Sequence, residues 1–245
     1  MVEPVFFKQF DGAPSVGDHL LLDGEEGKHA ASVRRMRFGE LIALTNGQGL
    51  RVRGSVESVE AKALTISVSE VIEEPKPELQ VVLIQALAKG DRDELAIQAA
   101  TELGAMTVIP WQAERSISRW DESKSIKGQA RWQTICDEAA KQSLRAWFPK
   151  VELPATTKQL VANIQGFDRV LVLDPTSAQG ISSLGKLSGS VAIVVGPEGG
   201  IDPQELAMFD AAGATRVRLG ASILRTSTAG VVAIAALQTA AGHFG

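Results

Sequence analysis

The chain has 245 residues, 44% hydrophobic and 22% charged, a globular composition with room for one large core or two modest ones. Its formal net charge of -4 excludes a polycation, so any nucleic-acid surface must be a local patch. The single Cys136 excludes an intrachain disulfide, and the scattered His19, His29 and His243 offer no zinc spacing; a reducing, cytoplasmic setting without a metal is expected.

At the N-terminus, Glu3 stands where a signal peptide would be basic, in a segment without a long apolar core. Further on, residues 41–45, 50–56 and 64–68 alternate apolar with polar side chains, with Asn46-Gly47 as a turn between the first two. One short helix is expected around residues 25–35. A small β-barrel accounts for this stretch, because closure removes exposed sheet edges. Lys28, Arg34, Arg35, Arg37, Arg51 and Arg53 face only one acid, Glu40, between positions 28 and 53. A charge run is more often a solvated face than a site. Arg51 and Arg53, however, share one side of an alternating strand, and the guanidinium fork suits phosphate, so this patch is read as an RNA-binding surface. The two prolines and four charged residues of Glu73-Glu74-Pro75-Lys76-Pro77-Glu78 end the segment, dividing the chain into domains 1–73 and 74–245.

Beyond that boundary, buried strands are expected at 79–87, 106–110, 169–173, 191–195 and 215–219. Helices at 91–103, 123–146, 156–164, 203–212 and 226–241 separate or follow them. This is an α/β domain with a mainly parallel sheet. The last helix is rich in small residues and reads as buried or as a subunit interface. Its first turn alone is expected to reach a cofactor. Residues 229–237, the longest small-apolar run, fall well short of the roughly 20 residues that span a bilayer, so membrane insertion is not expected.

Three strand ends carry the candidate site: Leu173-Asp174-Pro175-Thr176-Ser177, Gly196-Pro197-Glu198-Gly199-Gly200, and Leu219-Gly220 running to Ile223-Leu224-Arg225-Thr226. In an open parallel sheet these ends share the edge where ligands bind. Any one of them alone reads equally well as a tight turn. Asp202, Pro203 and Glu205 start a capped helix just after the second loop, yet Glu198 sets a carboxylate in that loop. That favours a ligand with hydroxyls, amines or positive charge over a pyrophosphate. Lys89, Arg92, Arg115, Gln142 and Arg145 form a second polar set, with helix-surface ion pairs as the alternative for Arg92. Cys136, beside Asp137 and Glu138, is read as inert. The chain has neither a nucleoside-triphosphate loop nor a Gly-x-Ser-x-Gly nucleophile turn, and its only Gly-x-Gly lies in a hairpin.

These glycine loops, with Leu219-Gly220, Ile223-Leu224-Arg225-Thr226 and Thr228-Ala229, resemble the signature of the 16S ribosomal RNA uracil-N3 methyltransferases of the SPOUT (α/β-knot) superfamily. Lys89, Glu102-Leu103-Gly104, Ala140, Gln142-Ser143, Arg145, and His29 followed by Val33-Arg34-Arg35-Met36-Arg37 extend the resemblance over nearly the whole chain. It implies a PUA-like RNA-binding barrel, a trefoil-knotted C-terminal domain and a homodimer acting on 16S rRNA of the small ribosomal subunit. It also implies S-adenosylmethionine held by Leu173, Asp174, Gly196, Pro197, Glu198, Gly199, Leu219, Gly220, Ile223, Leu224 and Thr228. Arg225 is the candidate catalytic residue. Arg34, Arg35, Arg37, Arg51, Arg53, Lys89, Arg92, Arg115, Gln142 and Arg145 are the candidate RNA contacts. The pattern departs at Ser227, where such families usually carry an acid. A knotted methyltransferase acting on another nucleotide, a non-catalytic RNA-binding assembly protein and a nicotinamide oxidoreductase remain as competing readings.

Overall fold

The structure, a computed structural model, describes residues 3–244. The reading of the N-terminus extends to Met1 and Val2, which lie outside them. Contacts divide the chain into two compact units. One holds the chain up to Lys76 together with Ala140–Phe148; the other holds Pro77–Ala139 and the chain from Pro149 onward.

The first unit is a five-stranded sheet in the order β1-β3-β4-β5-β2, made of β1 (Val5–Phe7), β2 (His19–Leu22), β3 (Leu41–Thr45), β4 (Leu50–Val59) and β5 (Leu64–Glu73). β1 runs parallel to β3; the other pairs are antiparallel. Register shifts in the β4–β5 pair at Arg53/Gly54 and Val56/Ser58 bend the ribbon, as bulges do, and curl the sheet around Phe6, Leu22, Ile42, Leu44, Val52, Val56, Leu64 and Ile66. The Asn46 carboxamide oxygen accepts from the N–H groups of Gln48 (2.8 Å) and Leu50 (3.2 Å), while Gly47 and Gly49 take φ of 70° and 94°, so the turn spans four residues. β1 and β2 escape sequence reading because three or four residues are too few to show a period. The expected helix at 25–35 is a short α1 (Gly24–Lys28) followed by a π-helical turn over His29–Val33.

The second unit contains β6 (Leu79–Ala86), α2 (Arg92–Glu102), β7 (Ala105–Gln112), most of α3 (Glu122–Gln142), β8 (Lys150–Val151), β9 (Ala155–Thr156) and α4 (Thr157–Ala162). It continues with β10 (Arg169–Leu173), β11 (Gly189–Val195), α5 (Pro203–Ala211), β12 (Thr215–Val217) and α6 (Thr226–Ala241). Strand order is β12-β10-β11-β6-β7-β8, with β9 also beside β7, and every pair is parallel. Alternate residues of β6 serve different cores. Leu79, Val81 and Leu83 pack with Ile97, Trp132, Cys136, Ile234 and Leu237 of α2, α3 and α6; Val82, Ile84 and Ala86 pack with Leu160, Ile164 and Phe209 on the face covered by α4 and α5. Burial on both faces explains why this strand reads as a continuous apolar run.

The helix expected over 123–146 stops at Gln142. Leu144 adopts a left-handed φ of 58°, and the N–H groups of Leu144 and Arg145 return to the carbonyls of Lys141 (3.2 Å) and Ala140 (2.9 Å), a Schellman-type stop. The turned segment joins the first unit. There Gly49 N–H donates to Ala146 O (2.9 Å), Phe148 N–H to Gly47 O (2.9 Å), and the Trp147 indole N–H to Glu74 O (2.9 Å).

Among the described residues, no helix is long and apolar enough to cross a membrane, and no cluster of three metal-ligating side chains occurs. α6 lies close against the sheet because Gly230 has no side chain: a Cβ there would sit 2.9 Å from Leu83 Cδ1 and 3.1 Å from Val195 Cγ2. Gly230→Val therefore overpacks this seam. A loss of about 1–3 kcal/mol is expected, read as a lowered midpoint in urea denaturation.

Candidate active site

The C-terminal ends of β10, β11 and β12 open into a cavity of about 580 Å³, within the range of small-molecule sites. The β10 end contributes Leu173, Asp174, Pro175 and Thr176. From the β11 loop come Gly196, Pro197, Glu198 and Gly200, and from the β12 loop Leu219, Gly220, Ile223, Leu224 and Arg225. Two expected cofactor residues stand apart from this lining. Gly199 packs against Arg115, and Thr228 lies exposed in the first turn of α6.

Each loop is locked from below. Asp174 is buried, and one of its oxygens accepts from the Thr176 N–H (2.8 Å) and hydroxyl (2.7 Å). Its other oxygen accepts from Arg216 Nη1 at 3.3 Å, while the rest of that guanidinium pairs with Asp210 through two bonds, Nε–Oδ1 (2.8 Å) and Nη2–Oδ2. Burial raises the Asp174 carboxyl pKa, but the Thr176 and Arg216 hydrogen bonds outweigh it and leave the group below the usual carboxylate range. Arg218 Nη1 donates to the carbonyls of Ser177 and Ala178 (both 2.9 Å), tying the β10 and β12 loops together.

The Gly196 loop is held from two sides. Glu198 accepts from the Lys89 N–H (3.0 Å) and from Arg92 Nη1 (3.1 Å). Burial raises its carboxyl pKa, yet these donors and its own N–H bring the net shift below the usual range. On the other side Arg115 donates to Gly199 O (3.4 Å) and pairs with Asp202 (3.1 Å), and Asp202 and Glu205 form the expected capping box of α5. Beneath the loop runs a path missed in the sequence. The Gln85 side-chain amide donates to Thr226 Oγ1 (2.9 Å), whose hydroxyl donates to Gly196 O (2.8 Å). Gln85 is fully buried in β6 opposite Val195, and it was legible only as a lone polar residue in the run 81–88.

The expected RNA contacts separate into three groups. Arg34, Arg35 and Arg37 are exposed. Arg51 pairs with Glu74 (2.6 Å) and donates to Leu144 O (2.8 Å), and Arg53 pairs with Glu3 and Glu70. Both arginines are engaged with carboxylates in the structure rather than free. Arg92 and Arg115 hold the Gly196 loop, Arg92 through Glu198 rather than through a helix-surface pair with Asp91, Asp93 or Glu94. The Lys89 side chain is exposed, while exposed Gln142 and half-buried Arg145 belong to the segment that joins the first unit. Of the cavity's three guanidinium groups, Arg92 is held by Glu198 and Arg218 by carbonyls. Arg225 alone has neither an ion pair nor a side-chain hydrogen bond among the described residues.

A largely apolar cavity over three parallel strand ends, with the carboxylates of Asp174 and Glu198 in its lining, suits a ligand with hydroxyls, amines or positive charge and defines an α/β protein with a small-molecule site. The comparisons narrow the class to RNA methyltransferases: residues 74–238 match the family described as RNA methyltransferase domain, and residues 22–69 the RNA methyltransferase PUA domain. The chain is 41% identical over 242 residues to ribosomal RNA small subunit methyltransferase E of Mycobacterium bovis, covering 97% of this chain and 92% of that one. Identity to the Bacillus subtilis protein of the same name is 35%, over 94% and 92% of the two chains. Its fold matches the crystal structure of the Neisseria gonorrhoeae enzyme of that name bound to S-adenosyl methionine, with a TM-score of 0.87, 30% identity, and 97% and 98% of the chains covered. This chain belongs to the ribosomal RNA small subunit methyltransferase E family.

Removing the guanidinium that bridges Asp174 and Asp210 tests how the β10 loop is held. Both carboxyls are depressed in the folded state, so their contribution is full above the ordinary carboxylate range and is lost as pH falls through their folded values. Arg216→Ala is expected to lower stability at neutral pH and to converge with the parent protein in acid. Urea denaturation across pH checks this, and a penalty of constant size would contradict it.

Proposed function

We propose that this chain methylates N3 of a uridine in the 16S ribosomal RNA of the small subunit, using S-adenosylmethionine. The observation that carries the reading is Arg225, a cavity-lining guanidinium at the start of α6 without a carboxylate partner among the described residues. The residues present fit the cofactor. Leu173, Val195 and Leu219 offer apolar surface for an adenine ring, and three loops offer backbone groups for its polar parts. Carboxylates at Asp174 and Glu198 favour a cation over a pyrophosphate.

When bound, S-adenosylmethionine supplies an electrophilic methyl group. The protein's own task is at the base, because N3 of neutral uracil bears a proton and its lone pair is available only as that proton leaves. Arg225 stabilises the negative charge that then develops, and it does so more strongly in a site that excludes water. N3 lies on the pairing edge, so the target base must be unpaired or flipped out. The cytoplasm, where the substrate RNA resides, is the proposed compartment. A homodimer and a trefoil-knotted chain end belong to the same reading; the exposed Ile223 and Val232 offer apolar surface for a second copy.

The test is methyl transfer from labelled S-adenosylmethionine to unmodified small ribosomal subunits, with the product nucleoside identified by mass spectrometry. 3-Methyluridine is expected; a different methylated nucleoside moves the target. Arg225→Ala is expected to lower the transfer rate by on the order of a hundredfold, with cofactor affinity retained. Near-normal turnover would remove Arg225 from the mechanism.

A further inference from the structure

The loop between the π-helical turn and β3 is built around one inward residue. Met36 is buried beside Ala30, its N–H bonded to Ala30 O at 3.1 Å, and the Arg34 N–H closes onto His29 O at 2.8 Å. Arg35 takes a left-handed φ of 55°, and Gly39 N–H returns to Val56 O at 2.8 Å. With its ends and centre fastened, the loop turns its other side chains outward. Phe38 is 78% exposed, Val33 69% and Leu41 63%, interleaved with exposed Arg34, Arg35 and Arg37. Those three arginines have no ion pair among the described residues. The local acid, Glu40, accepts from the Arg37 backbone N–H (3.0 Å).

Scattered exposed apolar residues need no explanation, but an outward phenylalanine fixed among three unpaired guanidiniums is a specific combination. Phosphates account for the arginines and leave Phe38 without a role on a duplex, whose bases are stacked. Single-stranded RNA accounts for both, because its backbone meets the cations while an unstacked base lies on the ring. We propose that Phe38 is a stacking platform for an unpaired base of the substrate RNA, flanked by Arg34, Arg35 and Arg37 as phosphate contacts. This rests on the RNA-methylating reading and adds to it a second contact point, on the first unit.

The experiment compares the full-length protein with Phe38→Ala and Phe38→Trp. It measures affinity for a uridine-rich single-stranded oligoribonucleotide, for the same sequence as a duplex, and for unmodified small subunits, each over a salt series. Phe38→Ala is expected to weaken single-strand binding about tenfold without changing the salt slope, to affect the duplex little, and to be rescued by Phe38→Trp. Charge reversal at Arg34, Arg35 and Arg37 should instead flatten the slope. Equal single-strand affinity of parent and Phe38→Ala overturns the proposal, as does loss confined to intact subunits, which would make the partner a ribosomal protein. Methyl transfer by the parent protein is measured in parallel. Absent transfer with a Phe38-dependent affinity would refute only the catalytic reading, and normal transfer with Phe38 indifferent would refute only the platform.

Discussion

Every feature of the cavity depends on the pairing of β11 with β6 on one side and β10 on the other, in parallel. Parallel strands must reach one another by crossovers, so their C-terminal ends gather at a single edge. Residues as distant in the chain as Asp174, Gly196 and Arg225 thereby line one volume. Gln85 converts that topology into local order. Opposite Val195 and under Thr226, it links β6, the start of α6 and the carbonyl of Gly196 in one hydrogen-bonded path. Buried where water cannot compete, such a path fixes geometry more firmly than a surface contact would.

Charge is distributed by the same logic. The acids behind the cavity are satisfied: Asp174 by Thr176 and Arg216, Glu198 by the Lys89 N–H and Arg92. Arg115 and Arg218 spend their donors on loop carbonyls and on Asp202. These groups hold the loops, whereas the Arg225 guanidinium has no side-chain partner among the described residues, as its proposed role in stabilising charge requires. Separating bracing cations from an uncommitted one is what electrostatic preorganisation requires, since the surroundings then need not rearrange as charge develops.

Some of this was legible because the pattern is local. The apolar runs of β6, β10 and β11, the Asp202-Pro203-Glu205 helix start and the three glycine-bearing loops each announce themselves within a few residues. Other parts depend on distant partners. A lysine or arginine looks the same in sequence whether it meets phosphate or carboxylate, and only the pairing of β4 with β5 sets Arg53 beside Glu70. Leu144 gives no signal of its left-handed turn, because a leucine there is tolerated only by virtue of the carbonyls of Ala140 and Lys141 behind it.

The amino-acid sequence by itself determined the fold class, the change from a mainly antiparallel sheet to a parallel one near residue 74, the three loops that line the cavity and the family to which the chain belongs. Periodicity, turn chemistry and motif spacing act over a few residues and survive in one dimension. The tertiary structure alone decided that Ala140–Phe148 packs with the first unit, that Arg51, Arg53, Arg92 and Arg115 meet carboxylates, and that Gln85 supports the Gly196 loop. It also decided that Met36 turns inward while Phe38 faces solvent. A charge or hydrogen-bonding group acquires its role from whatever lies within a few ångströms, and that neighbourhood exists only once the chain has folded.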